Sequence, residues 1–142
     1  MATTTDIIVT LGAGKKVDAH LGAHVVHTDQ PVEAGGEDSA PSPYSLFLAS
    51  LAACAGFYVQ RFCESRGLPT EGIRVIERTT SDPDTKLLAR IDLIVEAPRT
   101  FPDKYVSALQ RAVDGCSVKR AIQARPDIRC EVQRDMPLPH VA

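Results

Sequence analysis

Tryptophan is missing from this 142-residue chain, and aromatic residues of any kind are few: three tyrosines and four phenylalanines. So small an aromatic complement leaves little from which to build a base-stacking platform for nucleic acid. No basic run occurs either. Lysine and arginine are scattered among acidic residues and the formal net charge is −2, whereas phosphate binding needs cations gathered on one surface. These absences exclude nucleic acid as the main partner. The opening MATTTDIIVT lacks the basic start and apolar core of a secretory signal. The longest apolar stretch, 46–59, falls short of the ~20 residues a membrane span needs. The expectation is a cytoplasmic protein outside the membrane. Its four cysteines then rest as thiols, and any disulfide among them is catalytic or redox-sensing rather than structural.

Metal and phosphate motifs are equally scarce. There is no Cys-x-x-Cys and no His-Glu-x-x-His, and His24 and His27 stand three apart in a predicted strand, which sends them to opposite faces. No metal and no cofactor is expected, although His24 or His27 could line a cleft. Gly12-Ala13-Gly14-Lys15 lacks the spacing and the Ser/Thr of a phosphate loop and reads as a hairpin turn.

What the chain does contain is an ordinary globular composition, 44% hydrophobic and 24% charged, sufficient for one domain spanning residues 1–142. Strands are predicted over 7–11, 16–19 and 23–28, then a Gly/Pro/acid loop over 29–42. The loop acids Asp29, Glu33, Glu37 and Asp38 read as solvated or turn-forming. Ser42 as N-cap, Pro43 at the first helical position and Gly67 at the stop define a helix of about 23 residues. Its first two-thirds is apolar on every side, so burial all round is expected, under sheet or a partner subunit. A hairpin follows, 73–80 with 87–97 around Ser81-Asp82-Pro83-Asp84, then an amphipathic helix over 102–113 and a short one over 116–124. A last strand is predicted over 127–134. The order defines an α+β fold with mainly antiparallel sheet.

Cys54 and Cys63 lie on the long helix about 180° apart and cannot meet within one chain. Cys130, in the predicted last strand, reads as a small buried hydrophobe. Cys54 could be equally bland, yet it sits among small residues, while Cys116 follows Gly115 at a helix entry with Lys119 and Arg120 one turn on.

Gly22-x-His24, Asp29-x-Pro31, Gly35-Gly36, Pro41-Ser42-Pro43-Tyr44, Leu46 to Cys54, and Cys116-Ser117-Val118-Lys119 together resemble the OsmC/Ohr family, in its OsmC-like branch of redox proteins, over residues 15–133. The resemblance implies an intertwined homodimer whose long central helices are enclosed by sheets of both subunits, with active sites at the interface. It also implies a thiol-dependent peroxidase reaction on organic hydroperoxides. Cys54 matches the peroxidatic cysteine and Cys116 the resolving one, with an external dithiol as reductant. In the peroxidases an N-terminal Arg held by a helix Glu supplies the cation near the reactive thiol. Here Tyr44, beside Ser45, stands at the Glu position and no Arg precedes Arg61. Lys15, Lys16 or Arg61, the last from the same or the partner subunit, are the substitutes to examine. The alternative is a thiol-bearing ligand-binding or redox-sensing protein of the same fold without efficient turnover.

Overall fold

The computed structural model describes residues 3–134. Three antiparallel strands come first, β1 (Ile8–Leu11), β2 (Val17–Leu21) and β3 (His24–Thr28), in the order β1-β2-β3. The glycine-lysine segment is the turn expected: Gly12 N–H donates to the Lys16 carbonyl at 2.9 Å, closing the first hairpin in the register Leu11↔Val17. Among the described residues this sheet makes no substantial packing contact with another helix or strand. Ile8, Val9, Leu11, Leu21 and Val25 stay in solvent, while Val17, Ala19 and Val26 are half-buried.

The loop 29–42 is built around one buried side chain. Asp29 is 1% exposed, and its carboxylate accepts hydrogen bonds from Gln30 N–H, Glu37 N–H, Ser39 N–H and the Ser39 hydroxyl, at 2.7–3.1 Å. The Ser39 hydroxyl and N–H, opposed by burial, hold the Asp29 pKa down to about 2. Gly36 is required at its place, because a Cβ there would lie 1.8 Å from the Gln30 carbonyl oxygen. Of the four loop acids, Asp29 is thus turn-forming in the strict sense, and Glu37 pairs with Lys16.

Helix α1 runs Pro43–Glu64, with Ser42 Oγ accepting from Ser45 N–H at 3.2 Å and Pro43 at its first position. Past its end Gly67, at φ 62°, lets Leu68 N–H reach back to the Cys63 carbonyl. Within one chain α1 is covered on one side alone. Only Leu51, Ala55, Val59, Phe62 and Cys63 are buried, and the opposite face, with Ala49, Ala53 and Phe57, is open. One chain supplies only one layer against the helix. By length and composition alone, its 22 residues at mean hydropathy 1.4 could cross a membrane, but one side is covered by the rest of the fold.

That cover is the second half of the chain. Strands β4 (Arg74–Ser81) and β5 (Leu88–Glu96) form a separate antiparallel hairpin, Arg74↔Glu96 to Ser81↔Leu88, turned by Asp82, whose carboxylate accepts from Asp84 N–H and Thr85 N–H. Helices α2 (Val106–Asp114) and α3 (Ser117–Gln123) follow. Leu109 and Val113 of α2 join Ala55, Val59, Phe62 and Cys63 in the core, flanked by Val75, Leu93 and Val95 of the hairpin.

The strand expected over 127–134 does not form. Arg125, at φ 49°, turns the chain away from α3, and residues 126–134 run exposed, with Ile128 and Val132 in solvent and Cys130 exposed rather than buried. Alternating apolar residues make a strand only when a neighbouring edge takes up their N–H and C=O groups. Here this segment has none.

Candidate functional site around Cys54 and Cys116

Cys54 lies midway along α1, partly buried, on the side that faces the turn between α2 and α3. Gly115 N–H and Cys116 N–H bond back to the Ala112 and Val113 carbonyls, closing α2 and bringing Cys116 to the N-cap of α3. Cys116 is fully buried. The two thiols face each other where α1 meets α3 and they are not equivalent. The backbone N–H of Val118, then the Cys116 thiol, then the N–H of Ser117 favour charge on Cys54 and hold its pKa below the ordinary thiol value against the opposing effect of burial. Burial pushes the Cys116 thiol up, and its bond to Cys54 pushes it further. The proton of the pair therefore stays on Cys116, and Cys54 is the sulfur that ionises first.

The remaining residues singled out from sequence do not join this pair. Tyr44 is exposed, its ring 6.2 Å from that of Phe47, and stands ten residues, about 15 Å, up the helix axis from Cys54. Ser45 belongs to the helix cap, its hydroxyl 3.0 Å from that of Ser42. Lys16 is held by Glu37 and Lys15 lies over Gly35. His24 is exposed at the start of β3, while His27 Nδ1 meets Asp18 Oδ1 at 2.9 Å. Lys119 pairs with Asp114. Arg61 shares the helix side of Cys54, with its guanidinium carbon 5.8 Å from the ring centres of both Phe57 and Tyr58. Among the described residues charge on Cys54 is favoured by backbone N–H groups rather than by a cation.

Two features were not legible beforehand. Tyr58, one turn after Cys54, places its hydroxyl 3.0 Å from Ser117 Oγ; the i, i+4 spacing on α1 was visible, its partner 59 residues away was not. Glu77 on β4 turns toward Ala52 of α1 with one carboxylate oxygen buried and unpaired, and burial raises its pKa.

A long helix packed on one antiparallel hairpin, with a separate three-stranded antiparallel sheet before it in the chain, one cysteine at its middle and a second at the entry of a later helix, defines an α+β thiol protein. The chain belongs to the OsmC-like protein family, whose model matches residues 36–131. Among solved structures it is similar to an osmotic stress induced and detoxification response protein from Psychrobacter arcticus, at 19% identity and TM-score 0.70, covering 85% of this chain and 90% of that one. It is also similar to an OsmC-like protein from Mycoplasma pneumoniae, at 15% identity and TM-score 0.68, covering 88% and 91%. The organic hydroperoxide resistance protein OhrB of Bacillus subtilis matches at 18% identity and TM-score 0.54, covering 85% and 93%. At these identities the likeness is one of fold. No curated protein matches the chain.

Proposed function

We propose that this protein is a thiol-dependent peroxidase that reduces organic hydroperoxides through Cys54 and Cys116, working as a cytoplasmic homodimer. The observation that carries the reading is the asymmetry of the thiol pair: the N–H groups of Val118 and Ser117 and the Cys116 thiol lower the Cys54 pKa, while burial keeps Cys116 protonated. Cys54 thiolate attacks the terminal oxygen of ROOH, the O–O bond breaks, and the alkoxide takes a proton to leave as ROH, with Cys54 oxidised to the sulfenic acid. The Cys116 sulfur then attacks the Cys54 sulfur, a disulfide forms, and the sulfenic oxygen leaves as water. An external dithiol supplies two electrons and two protons to restore both thiols. The family membership and the fold shared with an organic hydroperoxide resistance protein support this assignment.

The homodimer reading rests on surfaces that the described residues of one chain leave open: the α1 face bearing Ala53 and Phe57, and the exposed Ile8, Val9, Leu11 and Val25 of the β1–β3 sheet. A second copy crossing α1 on α1 and laying each three-stranded sheet over its neighbour would cover both. Size-exclusion chromatography with light scattering should give twice the mass of one chain; a monomer at micromolar concentration would sink this part.

One specific observation favours the alternative, a thiol-bearing ligand-binding or redox-sensing protein: among the described residues no cation acts on Cys54, and Lys16 and Lys119 are paired with Glu37 and Asp114. The decisive experiment mixes the reduced protein with a modest excess of cumene hydroperoxide and counts free thiols with time. Rapid loss of two thiols per chain, abolished in Cys54→Ser and reduced to one in Cys116→Ser, is the expected result. Loss no faster than that of free cysteine would discard the peroxidase and leave the sensor.

A further inference from the structure

Helix α3 has only seven residues, none of them buried, and its N-cap residue Cys116 makes no side-chain capping bond. A helix this short has little stability of its own. Yet α3 packs against α1, and the N–H groups of its first two residues, Ser117 and Val118, favour charge on Cys54, so something outside α3 must fix the turn. Tyr58 is the residue placed to do it. It lies four residues after Cys54, on the same side of α1 and one turn on. Its hydroxyl is 3.0 Å from Ser117 Oγ. Its ring edge closes against the bare Cα of Gly115, where an added Cβ would lie 3.7 Å from Tyr58 Cε1 and 3.2 Å from the Ala112 carbonyl oxygen. The ring is itself braced, edge-on to Phe57 at 5.8 Å between centroids and with the Arg61 guanidinium 5.8 Å from its centre. A rigid aromatic on the helix that carries Cys54 thus grips both Gly115 and Ser117, the residues on either side of Cys116.

We propose that Tyr58 is a positioning residue for Cys54: its hydroxyl, bonded to Ser117, holds the 115–118 turn so that the Ser117 and Val118 N–H groups stay aimed at the Cys54 sulfur. The inference rests on Cys54 being the reactive thiol and assigns the task of activating it to a turn clamped by a tyrosine. A thiolate stabilised in this way gains from donors that are already oriented and need no reorganisation when charge develops.

The test reads thiolate formation without peroxide. Reduced full-length protein is alkylated with iodoacetamide across pH 5–10 and the Cys54 peptide is quantified by mass spectrometry. Tyr58→Phe keeps the ring and removes the hydroxyl; its titration midpoint should rise and its alkylation rate at pH 7 fall about three- to ten-fold, the span of one hydrogen bond. Ser117→Ala should match it, the double variant should add nothing further, and Ser117→Thr, which keeps the hydroxyl, should restore the parent profile. An unchanged midpoint in a folded Tyr58→Phe overturns the proposal. Should that variant fail to fold, Ser117→Ala decides the matter from the other side of the same bond, where a shifted midpoint supports the clamp and an unchanged one overturns it. Failure of peroxide turnover with the shift intact would remove the peroxidase reading and leave the clamp standing.

Discussion

Cys54 and Cys63 occupy one helix, nine residues apart, yet their surroundings drive them in opposite directions. Cys63 is fully enclosed by the core of Phe62, Leu109 and Val113, and burial raises its pKa. Cys54 is less buried and is met by the N–H groups of Val118 and Ser117, which outweigh burial. The carboxylates divide in the same way. Asp29, enclosed by the loop, has four donors on its two oxygens and a pKa of about 2, whereas Glu77 keeps one buried oxygen without a partner and its pKa is raised. Whether burial activates or silences an ionisable group depends on the donors that accompany it.

The widest contrast is in thiol reactivity. At pH 7 the native protein should alkylate at Cys54 at least about a thousand-fold faster than at Cys63, which reacts only when the core opens. Peptide mapping after timed iodoacetamide quench measures both rates; comparable rates would erase the distinction. Next in size, Cys63→Ser places an unpartnered hydroxyl in that core and should cost about 2 kcal/mol by urea unfolding, with the Cys54 alkylation profile unmoved. A shift in that profile would mean that the two ends of the helix are coupled.

The carboxylates predict pH dependences of opposite sense. The Asp29 pKa is depressed, so its contribution is complete above the unfolded value of 3.8 and is lost as pH falls through about 2. Asp29→Ala should therefore lower the thermal midpoint clearly at pH 7 and converge with the parent near pH 2; a pH-independent deficit would contradict the role given to its charge. The Glu77 pKa is raised, so its penalty is absent below the ordinary value of 4.5 and grows as pH rises through the folded value. Glu77→Gln should gain roughly 2–4 °C in thermal midpoint at pH 7 and nothing near pH 4. No gain at pH 7 would show that its buried oxygen is satisfied in the assembled protein.

Much of this architecture could be read from local signals. Ser42 and Pro43 cap α1 where their chemistry places them, the Gly12–Lys15 turn closes its hairpin, and the alternation along β5 puts Leu93 and Val95 toward the core. The last strand was misjudged because Ile128, Cys130 and Val132 show the right period, and period alone cannot supply the partner edge. The α1 helix shows a related limit: apolar composition says that a surface seeks cover, by sheet or by a partner subunit, and one chain covers the face bearing Leu51, Ala55 and Val59.

Of the proposed site, the sequence by itself placed the two cysteines, one on the long helix and one at the entry of a later helix. Cys54 among small residues on a capped helix, and Cys116 after Gly115 at a helix entry, are local facts that folding preserves. Only the tertiary structure decided which sulfur ionises, because that depends on where Val118 and Ser117 direct their N–H groups across some sixty residues of chain. The same holds for Tyr58 meeting Ser117 and for Asp29 gathering the donors of residues 30–39. Capping, turn chemistry and periodicity act over a few residues and so are written locally; the field at a sulfur is a sum over whatever the fold brings within a few ångströms of it.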